Sequence, residues 1–157
     1  MAFEKAKEWL KQWGFEDRVL EFDVSSATVE LAAVAVGCEP ARIAKSLTFK
    51  VGEKAVLIVT AGDQKIDNHK YKAQFATKAK MLTAEEVEYF TGHRIGGVCP
   101  FGVGPEVSVY LDESLKKYET VYPACGSSNS AVRLTPEELE RCSGSLGWID
   151  VCKGKEE

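Results

Sequence analysis

The chain has 157 residues, 45% of them hydrophobic and 28% charged, with a formal net charge of −4. That balance fits one globular domain over 1–157, long enough to bury a core without metal or disulfide staples, and it excludes disorder and fibrous repeats. No apolar run approaches the roughly 18–20 residues of a membrane span, and an acidic total argues against whole-surface binding to nucleic acid, DNA included.

The opening residues, MAFEKAKEWLKQW, lack the basic end and unbroken apolar stretch of a signal peptide, so a cytoplasmic location is expected. Residues 3–13 predict a helix with Phe3, Ala6, Leu10 and Trp13 on one face and Gly14 at its stop. Trp9 and Trp13, four apart, share a face that can pack on the core or on a partner, with core packing the default. A short strand is expected over 18–22. Ser25 and Ser26 are N-cap candidates for a helix through about Val36, ended by Gly37. Pro40 suits the first position of another short helix. The runs SLTFKV (46–51) and AVLIVTA (55–61), linked by GEK, predict a hairpin. Asp67 caps a helix over about 68–76. Thr83 and Glu86 have capping-box spacing, as do Thr135 and Glu138, the second with a proline at the first helical position. Strands are expected near 106–111, 119–123, 130–134 and 147–151. Helices and strands mix without βαβ alternation, which predicts an α+β fold with a largely mixed sheet, open or curled into a barrel.

Cys38, Cys99, Cys125, Cys142 and Cys152 make an odd set with no CxxC pair, which disfavours a disulfide framework or zinc ribbon. His69 and His93 are too few for a metal site, and neither metal nor cofactor is expected. Charge is uneven along the chain. Residues 41–80 carry nine Lys/Arg against three Asp/Glu, a local +6 that leaves −10 for the rest. Such a segment is either one positive face for an anionic partner or a solvated surface balanced by nearby acids.

Three segments could carry chemistry. Lys45, in ARIAKSLTFK, stands before an apolar run, where an ammonium drawn inward can hold phosphate, hydroxyl or carbonyl oxygen; the plain alternative is an exposed lysine. Gly96–Pro105 holds four glycines and two prolines in ten residues, a loop able to aim amides at an oxyanion or simply to connect sheet edges. Ala124–Ser130 (ACGSSNS) is either a polar pocket lining or a hairpin loop. Cys99, with His93 upstream as a base, is a candidate thiol nucleophile, though a free cysteine is more often a small core residue.

In order and spacing, ARIAKSLTFK, TAGD (60–63), GGVCPFG (96–102) and GSSNSAV (126–132) before LTPEEL resemble the YbaK/EbsC family of aminoacyl-tRNA deacylases, the editing domain also inserted in bacterial prolyl-tRNA synthetases. The likeness covers about 20–151, and the length resembles the freestanding, trans-editing members. It implies a curved, barrel-like mixed sheet surrounded by helices, and hydrolysis of the ester joining a small wrong amino acid (Ala, Cys, Ser or Thr) to a tRNA(Pro)-type acceptor. By the resemblance, Lys45 is the catalytic lysine. Gly96, Gly97, Val98, Cys99, Pro100, Phe101 and Gly102 form one wall of the aminoacyl pocket. Gly126, Ser127, Ser128, Asn129 and Ser130 form the facing wall. The family usually has a small residue such as Ser or Ala where Cys99 stands, so no catalytic role passes to that thiol. In its cysteine-specific branch the substrate thiol attacks and in others water does; the sequence leaves both open. The +6 segment then reads as a track for the acceptor stem, through Lys50, Lys65, Lys70, Lys72, Lys78 and Lys80. Expected partners are the aminoacyl-tRNA acceptor end and a synthetase, with no membrane. The alternative is a non-catalytic tRNA- or synthetase-binding module of the same fold.

Overall fold

A β-hairpin is the spine of the computed structural model, which describes residues 2–155. Its strands are β2 (Ile43–Val51) and β3 (Lys54–Ala61), antiparallel and in register from Ala44 opposite Ala61 to Val51 opposite Lys54. The helices before it are α1 (Ala2–Lys11) and α2 (Val29–Val36), with β1 (Val19–Glu21) between them. After it come β4 (Gln64–Ile66), α3 (Asn68–Phe75), α4 (Ala84–Thr91), β5 (Val107–Asp112), β6 (Tyr122–Pro123), β7 (Ser130–Val132), α5 (Pro136–Ser143), β8 (Trp148–Ile149) and β9 (Cys152–Gly154).

The main sheet has the order β6-β2-β3-β5-β8, with β2–β3 antiparallel and the other neighbours parallel; β1–β7 and β4–β9 form separate antiparallel ribbons. The fold is α+β, as the sequence predicts. β3 is central and is buried on both faces, which explains its unbroken apolar run. Leu57, Val59 and Ala61 face a core built with Ala6, Leu10, Phe101 and Leu111. Val56 and Ile58 face a second core with Phe49, Tyr71 and Val151. Full burial of side chains such as Leu57 and Ile58 contributes about 1.5–3 kcal/mol each.

The helix starts follow local chemistry. Asp67 accepts the amides of His69 and Lys70, and both capping boxes close, Thr83 with Glu86 and Thr135 with Glu138. The start of α2 is a correction. Thr28, rather than Ser25 or Ser26, is its cap and accepts the Leu31 amide at 3.1 Å. Ser26 is committed elsewhere: its amide donates to Ser128 O at 2.6 Å, extending the β1–β7 ribbon, so the chain turns helical two residues later. Trp9 packs on the core, as its spacing suggests, and its indole N–H donates to Cys142 O at 2.6 Å. All five cysteines are free thiols. Among the described residues no helix is long and apolar enough to cross a membrane.

Candidate active site

The first half of β2 forms one wall of a cavity of about 240 Å³. The start of α2 supplies Thr28, Val29 and Ala32. The far wall comes from Met81, Leu82, Val87, Ile95, Gly96 and Val98, and Tyr122, Ala124, Ser130 and Ala131 close it. The lining is mainly apolar, with a few hydroxyls and one lysine, the composition of a small-ligand site.

Four of the predicted site residues meet here: Lys45, Gly96, Val98 and Ser130. Lys45 is half-buried in β2 opposite Thr60, and its ammonium donates to the Gln64 carbonyl. Desolvation pushes its proton affinity below the ordinary lysine value; the nearby charge of Lys155 acts in the same direction, against Cys152, Asp63 and Glu30. Next to it, the Ser46 hydroxyl is buried with no hydrogen-bond partner among the described residues.

The two predicted loops touch. A Cβ on Gly97 would come within 2.6 Å of the Ser127 amide nitrogen, so only glycine lets 96–98 pack directly on 126–128. Ser127 binds Ser130 hydroxyl to hydroxyl at 2.6 Å, and the Asn129 amide donates to Phe22 O at 3.1 Å, tying the second loop to β1. Ser128 and Asn129 are exposed, whereas Gly97, Pro100, Gly102 and Gly126 are buried in the loop packing. The glycine of TAGD has a similar reason: a Cβ on Gly62 would lie 2.1 Å from Pro40 O, where a 3₁₀ turn over Pro40–Arg42 crosses the end of β3.

Cys99 and Phe101 lie in the main core, fully buried, and do not line the cavity. The Cys99 sulfur is 3.4 Å from His93 Nε2, so the pairing weighed from the sequence exists in space. Its chemistry is inert. His93 Nε2 lies 2.9 Å from Phe101 O, and a carbonyl only accepts, so that nitrogen holds the proton and cannot take one from the thiol. Burial pushes the thiol far up and the imidazole down, leaving both neutral.

The predicted tRNA lysines divide. Lys78 and Lys80 are exposed just before Met81, at the cavity wall. Lys50 pairs with Glu86 at 3.0 Å, and Lys70 with Asp150 at 3.1 Å. Lys65 and Lys72 lie on β4 and α3, the elements that cover the second core. Nothing in the sequence marks the α2 residues, Ser46, Met81, Leu82 or Val87 as parts of one site; they are small or apolar and meet only through tertiary packing.

Residues 24–142 match the aminoacyl-tRNA editing domain family. The chain belongs to that family. It is 54% identical over 154 residues to YwhH of Bacillus subtilis, a protein of uncharacterised function, with 98% of each chain covered. It is 32% identical over 115 residues to EbsC of Enterococcus faecalis, provisionally named a Cys-tRNA(Pro)/Cys-tRNA(Cys) deacylase, covering 71% of this chain and 70% of that one. A crystal structure described as that of a candidate trans-editing enzyme for prolyl-tRNA synthetase superposes with a TM-score of 0.87 at 34% identity, covering 98% of both chains. Proline–tRNA ligase of Geobacillus is 30% identical over 115 residues, and this chain spans 20% of its length. The fold and the editing family thus agree with the sequence reading.

Proposed function

We propose that the protein is a trans-editing hydrolase that cleaves the ester of a mischarged tRNA(Pro)-type aminoacyl-tRNA carrying Ala, Cys, Ser or Thr, in the cytoplasm. The observation that carries this reading is the meeting of Lys45, Gly96 and Ser130 on one small cavity in a chain of the editing family. At about 240 Å³ the cavity is below the roughly 300–1,000 Å³ of drug-sized sites, as suits one small aminoacyl group.

The ammonium of Lys45 has three N–H donors. One is held by Gln64 O, which leaves two for the ester carbonyl or the terminal ribose hydroxyls. The ester is already activated, so the enzyme must chiefly orient the nucleophile and stabilise the oxyanion. Water adds to the carbonyl carbon, the bond to the ribose oxygen breaks, and the ribose hydroxyl and free amino acid leave. When the substrate is Cys-tRNA, its own thiol can make the first attack. A pocket discriminates one methylene by only about 1–3 kcal/mol, so a second site shaped for the smaller residue restores accuracy. Lys78 and Lys80 lead to the cavity and suit the acceptor-stem phosphates, together with Lys65 and Lys72, and with Lys50 and Lys70 once Glu86 and Asp150 are displaced. A synthetase is the expected partner in passing the tRNA on.

The test is deacylation of tRNAs charged with Ala, Cys, Ser, Thr or Pro by wild type and Lys45→Ala. Selective turnover that is lost in the variant supports the reading. No turnover by folded wild type across the panel replaces it with a non-catalytic tRNA- or synthetase-binding module.

A further inference from the structure

The family match ends at residue 142, yet the chain continues through β8 and β9. β9 is the sheet neighbour of β4, with Gln64 opposite Gly154, Lys65 opposite Lys153 and Ile66 opposite Cys152. Two backbone bonds close the ribbon at its ends. The Asp67 amide donates to Val151 O at 2.8 Å, and the Lys155 amide donates to Asp63 O at 3.2 Å. Between them lies the Gln64 carbonyl that accepts the Lys45 ammonium.

We propose that the C-terminal segment 152–155 is a positioning element for Lys45: it fixes the Gln64 carbonyl that holds the ammonium and sets the charge around it. This rests on Lys45 acting as the donor in ester cleavage. A lysine side chain is flexible along its four-carbon stem, so an acceptor fixed in a paired strand narrows where its remaining donors point. Without β9, the three residues of β4 would have no ladder to hold that carbonyl.

The charges facing Lys45 come from three places: Lys155 and Cys152 on the C-terminal segment, Asp63 in the turn between β3 and β4, and Glu30 on α2. Burial keeps the Cys152 thiol neutral by pushing its pKa far up. Among the described residues of that segment, Lys155 is therefore the charge that Lys45 feels across the neutral range, and it opposes Asp63 and Glu30. A reaction that needs the ammonium fades as Lys45 deprotonates, so Lys155 helps to set the alkaline edge of activity.

The experiment uses the full chain with whichever mischarged tRNA it turns over, at saturating substrate, with uncatalysed ester hydrolysis subtracted. Lys155 is exposed, so charge reversal leaves the core intact. In Lys155→Glu the alkaline limb of the kcat–pH profile moves to higher pH, while Lys155→Arg keeps the wild-type limb. A Lys155→Glu limb that coincides with wild type overturns the charge role. Lys155→Pro removes the amide bonded to Asp63 and lowers kcat on the order of tenfold, with KM nearly unchanged, as expected for a donor left loose. Unchanged kcat overturns the positioning role; should that variant lose its cooperative melt, the Lys155→Glu profile decides alone. Lys45→Ala separates the two ideas. If it still turns over substrate, the reading of Lys45 fails and this proposal falls with it. If it is dead while Lys155→Glu and Lys155→Pro behave as wild type, the ribbon proposal alone is overturned.

Discussion

The two walls of the cavity are built in opposite ways. β2 presents side chains: it is hydrogen-bonded to β3 and β6, and from that frame Lys45 and Ser46 reach the site. The wall from 96–102 presents Gly96 and Val98, while Cys99 and Phe101 turn into the core as anchors. One wall therefore offers functional groups on a rigid strand, and the other offers shape held by buried posts. Substitutions on the first should act on chemistry at constant stability, and substitutions on the second on stability and shape.

The sharpest break of that contrast is Lys45→Ala. Loss of one donor to a developing oxyanion costs about 10²–10³ in kcat. The melting temperature should stay close to wild type, because Lys45 is only half-buried and its ammonium bonds a backbone carbonyl. Steady-state deacylation beside a thermal melt checks both halves. Gly97→Ala should do the reverse in part. The added methyl would meet the Ser127 backbone at 2.6–2.8 Å, and that backbone can yield only by separating the loops. A stability loss of about 1–3 kcal/mol is expected, read by urea denaturation, with turnover falling as the wall shifts.

Much of this arrangement can be read from the chain, and the part that cannot has a physical reason. Asp67, Thr83–Glu86 and Thr135–Glu138 announce their helices because a cap is chemistry between residues two or three apart. The β2–β3 hairpin is equally local. β4 and β9 leave no trace, since each is three residues long and their pairing joins 64–66 to 152–154. Thr28 loses out to Ser25 and Ser26 in a local reading because the bond that removes Ser26 comes from Ser128. At the site, Lys45 and the glycine loops are recognisable as residue types in order. The acceptor for Lys45 is a backbone carbonyl, which carries no residue signature, and the small α2 residues of the cavity are defined only by what surrounds them.

Cys99 tests the idea of anchors directly. If it is a post and not a nucleophile, Cys99→Ala keeps turnover within about threefold of wild type while lowering stability by about 1–2 kcal/mol for the small cavity it leaves. Loss of turnover with unchanged stability would return the thiol to the chemistry, against its neutral, sealed environment beside His93.

The smallest effect concerns the brace behind Ser130. Arg18 makes a two-pronged bond to Glu138 at 2.7 and 2.8 Å, joining the start of β1 to the capping box of α5. β1 in turn pairs with β7, whose Ser130 lines the cavity. The bond to Arg18, with the Thr135 amide, lowers the Glu138 pKa from the ordinary 4.5 to about 2. A carboxylate lowered in the folded state contributes stability that is complete above its unfolded pKa and is lost as pH falls through the folded value. The wild type should therefore lose this contribution between pH 4.5 and about 2. Arg18 is 40% exposed, so solvent screening keeps the pair modest. With the weakened cap included, Glu138→Gln should cost about 1 kcal/mol at neutral pH. The two proteins' stabilities should converge as pH falls through that window, because the wild-type carboxyl becomes neutral there too. Parallel stability curves from pH 7 to 2 would show that the brace carries no charge-dependent load, and that β1 holds the Ser130 wall by its backbone ladder alone.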